Sequence, residues 1–228
     1  MSYKRISPIS AVEGATGQNS YATGDILYAS SSTALSKLAV GSNTEVLTLA
    51  GGLPSWAAPA SGGGGWAFIS SATASTSATL DFTSGIDSTY AAYAFIFSNI
   101  RPETDAVSFY MRTSTNGGST FDSGASDYGW NTFSASDSAD SLIKISSTNA
   151  VSNAVGSSVS GNLYLYQPSV TYVTCSFDIG YFQGTFYEKS DGTGRRLAAT
   201  DVDAVRFYFS SDNITSGTIY MYGVGTPT

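Results

Sequence analysis

At 228 residues the chain is long enough for one ordinary domain and a shorter attached segment. Charged residues make up only 12% of it, about half the usual share, while Ser and Thr exceed a quarter and 15 Tyr and 12 Phe are present. That balance excludes a charge-solvated disordered chain and points to β-sheet. The formal charge of −7 arises entirely from residues 66–228, which argues against nucleic-acid binding and against adhesion to anionic lipid.

Residues 1–23 are polar with few large apolar groups, and they read as an extended attachment arm that orders on a partner. They lack the apolar core of a secretory signal, and nowhere does the chain approach the ~18–20 apolar residues of a membrane span. The expectation is a protein with no membrane insertion.

Residues 24–58 are too apolar for a linker, carrying Ile26, Leu27, Leu38, Val46, Leu47, Leu53 and Trp56 among others. They are also too short for a domain, since segments below about 40 residues seldom fold without a disulfide, a metal or a partner. The segment holds neither Cys nor His. Burial against other copies remains, so these seven residues are the expected contacts of a homotrimer. Residues 26–28 and 46–49 read as short strands, whereas residues 34–40 fit a strand or one helical turn equally well. Gly24-Asp25 and Gly51-Gly52 are turn signals.

The order Gly24-Asp25-Ile26-Leu27-Tyr28-Ala29, then Leu38 to Gly41, Val46-Leu47, Gly51-Gly52-Leu53-Pro54 and Trp56 resembles a module of tailed-bacteriophage fibre and appendage proteins. The match covers about a sixth of the chain. The resemblance implies a virion setting, for a protein made in a bacterial host's cytoplasm, and says nothing about a ligand.

Residues 59–65, with four consecutive glycines, read as a linker that marks the domain boundary; a surface loop within one domain is the alternative. From Trp66 onward, strand signals recur between Gly, Ser, Asp and Asn clusters. Strands are predicted at 66–70, 78–82, 92–100, 107–115, 129–134, 141–146, 161–166, 172–181, 185–189, 204–211 and 218–224. No stretch shows helical periodicity. Residues 66–228 are therefore expected to form an all-β antiparallel sandwich or jelly roll. Residues 100–130 and the terminal 217–224 also resemble a domain found in phage structural proteins, which implies this architecture and a virion setting rather than an activity.

Several side-chain groups could carry function. Ser114, Asn116, Gly118, Thr120 and Phe121 resemble the Asp-box turn of sialidases, with Asn in place of Asp. A single copy is a structural turn. Asp127, Tyr128 and Trp130 are the candidate glycan platform: ring faces for stacking, with a carboxylate accepting sugar hydroxyls. The competing reading places Trp130 in the core or in the trimer interface. Tyr181, Phe182, Phe186 and Tyr187 pose the same question. Asp201 with Asp203, and Asp137 with Asp140, could serve as paired acids, but solvated turn acids have the same pattern. Cys175, the sole cysteine, reads as a small buried hydrophobe.

The chain has no His, which removes Ser-His-Asp chemistry and His-ligated metal sites. No phosphate loop or long β-helix repeat is present. Neither a catalytic role, a metal nor a cofactor is expected. The reading is a phage virion structural protein: a short trimeric tail fibre whose arm meets other virion proteins of tail or capsid, and whose sandwich contacts a host surface polysaccharide. The alternative is a head decoration or cement protein, or a head fibre, bound to the capsid.

Overall fold

The computed structural model describes residues 16–59, 65–148, 150–169 and 172–225. Most of the predicted arm and most of the Gly-rich linker fall outside these. The chain divides into two compact units, Met1–Ser61 and Gly62–Thr228. Every described element is a strand or a turn, so the chain is all-β.

The first unit consists of two hairpins in separate sheets: β1 (Ile26–Ser31) with β2 (Ala34–Leu38), and β3 (Val46–Ala50) with β4 (Leu53–Ala57). The segment 34–38 thus resolves as strand. Between β3 and β4 the two loop residues Gly51 and Gly52 both have positive φ, 59° and 82°. A turn of that hand matches the twist of the flanking strands, and a side chain at either position would oppose it.

Among the described residues, a small set of side-chain contacts holds this unit. The Trp56 Nε1–H donates to the Ala39 carbonyl at 2.8 Å. Its indole lies flat on Gly41, where a Cβ would come within 2.6 Å of Trp56 Cγ. Asp25 Oδ2 accepts the Ala22 N–H at 2.7 Å and pairs with Lys37 Nζ at 2.9 Å. The Ala22 hydrogen bond, then Lys37, holds the Asp25 carboxyl below its ordinary range. Gly41, Asp25 and Trp56 of the sequence module are therefore the residues that fix its shape. None of the described residues of this unit is fully buried.

The second unit is an antiparallel sandwich. Its strands are β5 (Trp66–Thr73), β6 (Leu80–Phe82), β7 (Ala92–Pro102), β8 (Phe109–Ser114), β9 (Tyr128–Thr132) and β10 (Ala135–Asp140). They continue with β11 (Ile143–Lys144), β12 (Val159–Tyr166), β13 (Thr174–Gln183), β14 (Phe186–Arg196), β15 (Ala204–Phe209) and β16 (Ile214–Val224). Eight strands form one sheet in the order β10-β9-β14-β13-β12-β7-β16-β5, and four form the other, β11-β8-β15-β6.

Alternation decides which side chains meet between the sheets. Phe95 and Phe97 of β7 point inward onto Phe207 of β15, with ring centroids 5.3 and 5.2 Å apart. Phe109 of β8 and Phe82 of β6 complete the cluster in edge-on contacts with Phe97 and Phe95. Each buried aromatic removes roughly 150–250 Å² from water, which makes this cluster the main stabilising mass of the unit.

Two charged pairs brace this frame, one tying a loop to β14 and one joining the neighbouring strands β15 and β6. Arg196, nearly buried, holds Asp122 through Nε at 2.8 Å and Nη2 at 2.7 Å. Arg206 instead grips both oxygens of Asp81, Nε to Oδ1 at 2.9 Å and Nη2 to Oδ2 at 2.7 Å, whereas both Arg196 contacts converge on Asp122 Oδ2; the Arg206 guanidinium lies over the Phe121 ring at 4.1 Å.

Candidate functional site

Two of the three residues of the predicted glycan platform, Tyr128 and Trp130, are in the interior, and Asp127 is half-buried in the turn before β9. Along β9 the inward positions are Tyr128, Trp130 and Thr132, while Gly129 and Asn131 face out. Tyr128 is fully buried, and its hydroxyl accepts the Thr113 N–H at 2.8 Å. Burial is the main reason its phenol is pushed up to about 12. Trp130 is buried too; its Nε1–H donates to Asp140 Oδ2 at 2.9 Å, and Lys144 Nζ lies over its ring at 4.8 Å. Asp127 closes its own turn by accepting the Gly124 N–H at 2.5 Å. These three residues build the fold and offer no stacking face, which corrects the sequence expectation. Alternation assigned Tyr128 and Trp130 to one face of a strand, and that face is the one turned to the core.

The other candidates divide. Asp140 is held by Trp130, and Asp137 accepts the Ala139 N–H at 3.0 Å. Asp203 Oδ2 accepts the Gly117 N–H at 2.9 Å and so braces the Asp-box-like loop, whereas Asp201 is exposed. Within that loop the Asn116 side chain accepts from Thr120 N–H and donates to Thr120 Oγ1, at 3.0 and 2.8 Å. Gly118 takes φ 78° there. Cys175 is buried, and burial pushes its thiol up to about 12. Tyr181 is buried, while Phe186 and Tyr187 are exposed on the β13–β14 hairpin.

Of the predicted trimer contacts, Leu27, Val46, Leu47 and Leu53 are exposed, and Ile26, Leu38 and Trp56 are half-buried. Leu49 reaches 71% exposure, more than any of them.

The outer face of the eight-stranded sheet carries an arrangement that the sequence reading missed. Two rows of directly paired residues cross it. One runs Phe68, Tyr222, Ala94, Tyr164, Ser176, Thr193, Asn131. The other runs Trp66, Val224, Ala92, Tyr166, Thr174, Arg195, Gly129. With strands about 4.8 Å apart, each row spans roughly 29 Å. One half is aromatic and the other half is polar.

In the aromatic half, Trp66 meets Tyr164 edge-on at 5.9 Å and Tyr222 at 5.6 Å, and Tyr164 stacks with Tyr166 at 6.3 Å. Ala92 and Ala94 are the small, buried residues beneath these rings. Trp66, Phe68 and Tyr166 remain 47%, 60% and 40% exposed.

In the polar half the surface sinks into a trough of about 500 Å³ over β12, β13, β14 and β9. Tyr166 forms one wall, its hydroxyl 2.8 Å from Ser176 Oγ. Thr174, Thr193, Asn131 and Arg195 supply the polar lining. The signal for this face was present in the sequence. Leu163-Tyr164-Leu165-Tyr166 and Ile219-Tyr220-Met221-Tyr222 put aliphatics on one face and tyrosines on the other, and the aliphatics take the core.

No family model matches this chain, and no curated protein or solved structure matches it either.

Proposed function

We propose that this chain is a bacteriophage virion structural protein, a short trimeric tail fibre that contacts a surface glycan of the host. Residues 24–58 join three copies, and residues 1–23 attach the fibre to other virion proteins. The sandwich presents the aromatic and polar rows of its large sheet to the host. The protein does no catalysis and carries no cofactor.

The observation that carries this reading is the state of the first unit. Its hairpins have defined turns and a fixed Trp56–Gly41 contact, yet Val46, Leu47, Leu49 and Leu53 are all more than two-fifths exposed. Leaving these half-exposed side chains in water forgoes roughly half of the ~1.5–3 kcal/mol that full burial of each is worth. Neighbouring copies recover that energy, and the segment's small net charge of −1, Asp25 and Glu45 against Lys37, raises little barrier to close approach.

The outer face supports the glycan role. Exposed ring faces beside hydroxyls, an amide and a guanidinium are the groups that meet the apolar and polar sides of a sugar. Gold-labelled antibody against the sandwich should mark the tail of intact particles, and labelled protein should adsorb to susceptible cells. Label on the head with no adsorption would replace this reading with capsid decoration.

A further inference from the structure

Resting on the adhesin reading, we propose that the trough is a binding subsite for an acidic saccharide, with Arg195 recognising the sugar carboxylate and Tyr166 stacking on the sugar ring.

Charge carries the argument. Of the residues lining the trough, Arg195 is the only one with a charged side chain. The protein as a whole is acidic, and three other cations of the sandwich are neutralised locally. Arg206 holds Asp81, Arg196 holds Asp122, and Lys189 holds Asp178. Arg101, beside a separate smaller pocket, Arg112 and Lys144 have no carboxylate partner among the described residues. Among the described residues Arg195 has no carboxylate partner and no side-chain hydrogen bond. It is held instead by the face of Tyr172, 4.3 Å from the guanidinium carbon. Stacking of that kind fixes the plane of the fork and leaves its N–H donors unused.

A guanidinium with open donors pairs best with a planar carboxylate, through two parallel hydrogen bonds. The rest of the trough matches the sugar that would bear it. Arg195 and Thr174 are directly paired across β14 and β13, and Thr174 is directly paired with Tyr166 across β13 and β12. Cation, hydroxyl and ring therefore lie in one row on one face. The hydrogen bond between the Tyr166 hydroxyl and Ser176 fixes the ring's orientation, and Thr193 and Asn131 lie in the adjacent row to meet further hydroxyls. A neutral sugar would use the ring and hydroxyls but leave the fork unmet. A simple polyanion would meet the fork but not the ring.

The test is binding of the full-length protein to immobilised oligogalacturonate and oligosialate. Methyl-esterified oligogalacturonate and polyglutamate serve as controls that keep the ring without charge and the charge without ring. At least one acidic saccharide should bind, with half-saturation near about 1 mM per site, and both controls should bind at least about tenfold more weakly. Arg195→Gln should lose about tenfold while Arg195→Lys loses less, and rising salt should narrow the difference. Thr193→Trp, which fills the trough without altering its charge, should also abolish binding at an unchanged melting temperature.

Failure of the wild-type protein to bind either acidic saccharide, equal binding of the ester, or full binding by Arg195→Gln would each overturn the subsite. If cells adsorb the protein while neither saccharide binds, the subsite is wrong and the adhesin reading stands. If the saccharide binds through Arg195 while no cell adsorbs the protein, the subsite stands and the adhesin reading falls.

Discussion

The two units contain the same kinds of apolar side chain and treat them in opposite ways. In the sandwich, Phe95, Phe97, Phe109 and Phe207 are all no more than 2% exposed. In the first unit, all five residues of β3 are exposed. Composition does not explain the difference, because β3 is as apolar as the buried strands. Layer count does. A strand buries a face only when a second layer lies against it. The eight- and four-stranded sheets supply that layer to each other, whereas among the described residues the hairpins of the first unit belong to separate two-stranded sheets with no buried face.

The sharpest way to break this comparison is to charge β3. Changing Leu47→Asp together with Leu49→Asp removes roughly 2–4 kcal/mol of burial per chain, since the two side chains are 51% and 71% exposed, and sets carboxylates at the contact. Assembly should be lost while the sandwich's melting temperature is unmoved. Retained assembly would show that β3 is not what joins the copies.

The reverse experiment addresses the core. Phe207→Ala should cost the sandwich about 3–5 kcal/mol in urea unfolding, and so should Trp130→Ala. Assembly through the first unit should survive both. Were Trp130→Ala to weaken cell adsorption with no loss of stability, Trp130 would be a surface residue after all. Asp122→Ala strands the nearly buried Arg196 guanidinium and should cost about 3 kcal/mol.

Alkaline pH separates the units more gently. Tyr93, Tyr128 and Tyr208 are each pushed up to about 12, chiefly by burial. An unfolded tyrosine ionises near about 10. The folded state therefore holds protons that the unfolded state gives up. Stability from these groups is intact below pH ~10 and lost as pH rises from about 10 to about 12. The sandwich's melting temperature should fall across that window. Tyr208 has a buried hydroxyl with no partner among the described residues. Tyr208→Phe should accordingly be neutral or stabilising by about 1 kcal/mol and should flatten the alkaline slope.

Much of the fold was legible where strands alternate, as in β7, β8 and β16. Two stretches were not. β10, Ala-Ser-Asp-Ser-Ala-Asp, has no strand-forming side chain and exists as an edge strand because β9 offers it a partner. The second half of β14 extends beyond the predicted strand at 185–189 and contains Gly192 and Gly194. Gly194 sits where a Cβ would meet Ile143 Cγ2 at 2.6 Å, so that glycine marks a crowded interior rather than a turn. The site was less legible still. Period two places Tyr128 and Trp130 on one face of β9, but which face is the core depends on where β8 and β11 pack, and that is long-range information. The tyrosines of β12 and β16 could have been assigned, because Leu163, Leu165, Ile219 and Met221 compete for the same core and are more apolar.

The measurement closest to the central claim is sedimentation equilibrium of the purified full-length protein at low micromolar concentration. The account predicts a mass of three chains, reverting to one when Leu47 and Leu49 carry Asp. A folded wild-type monomer, stable at that concentration with β3 still exposed to water, would contradict it.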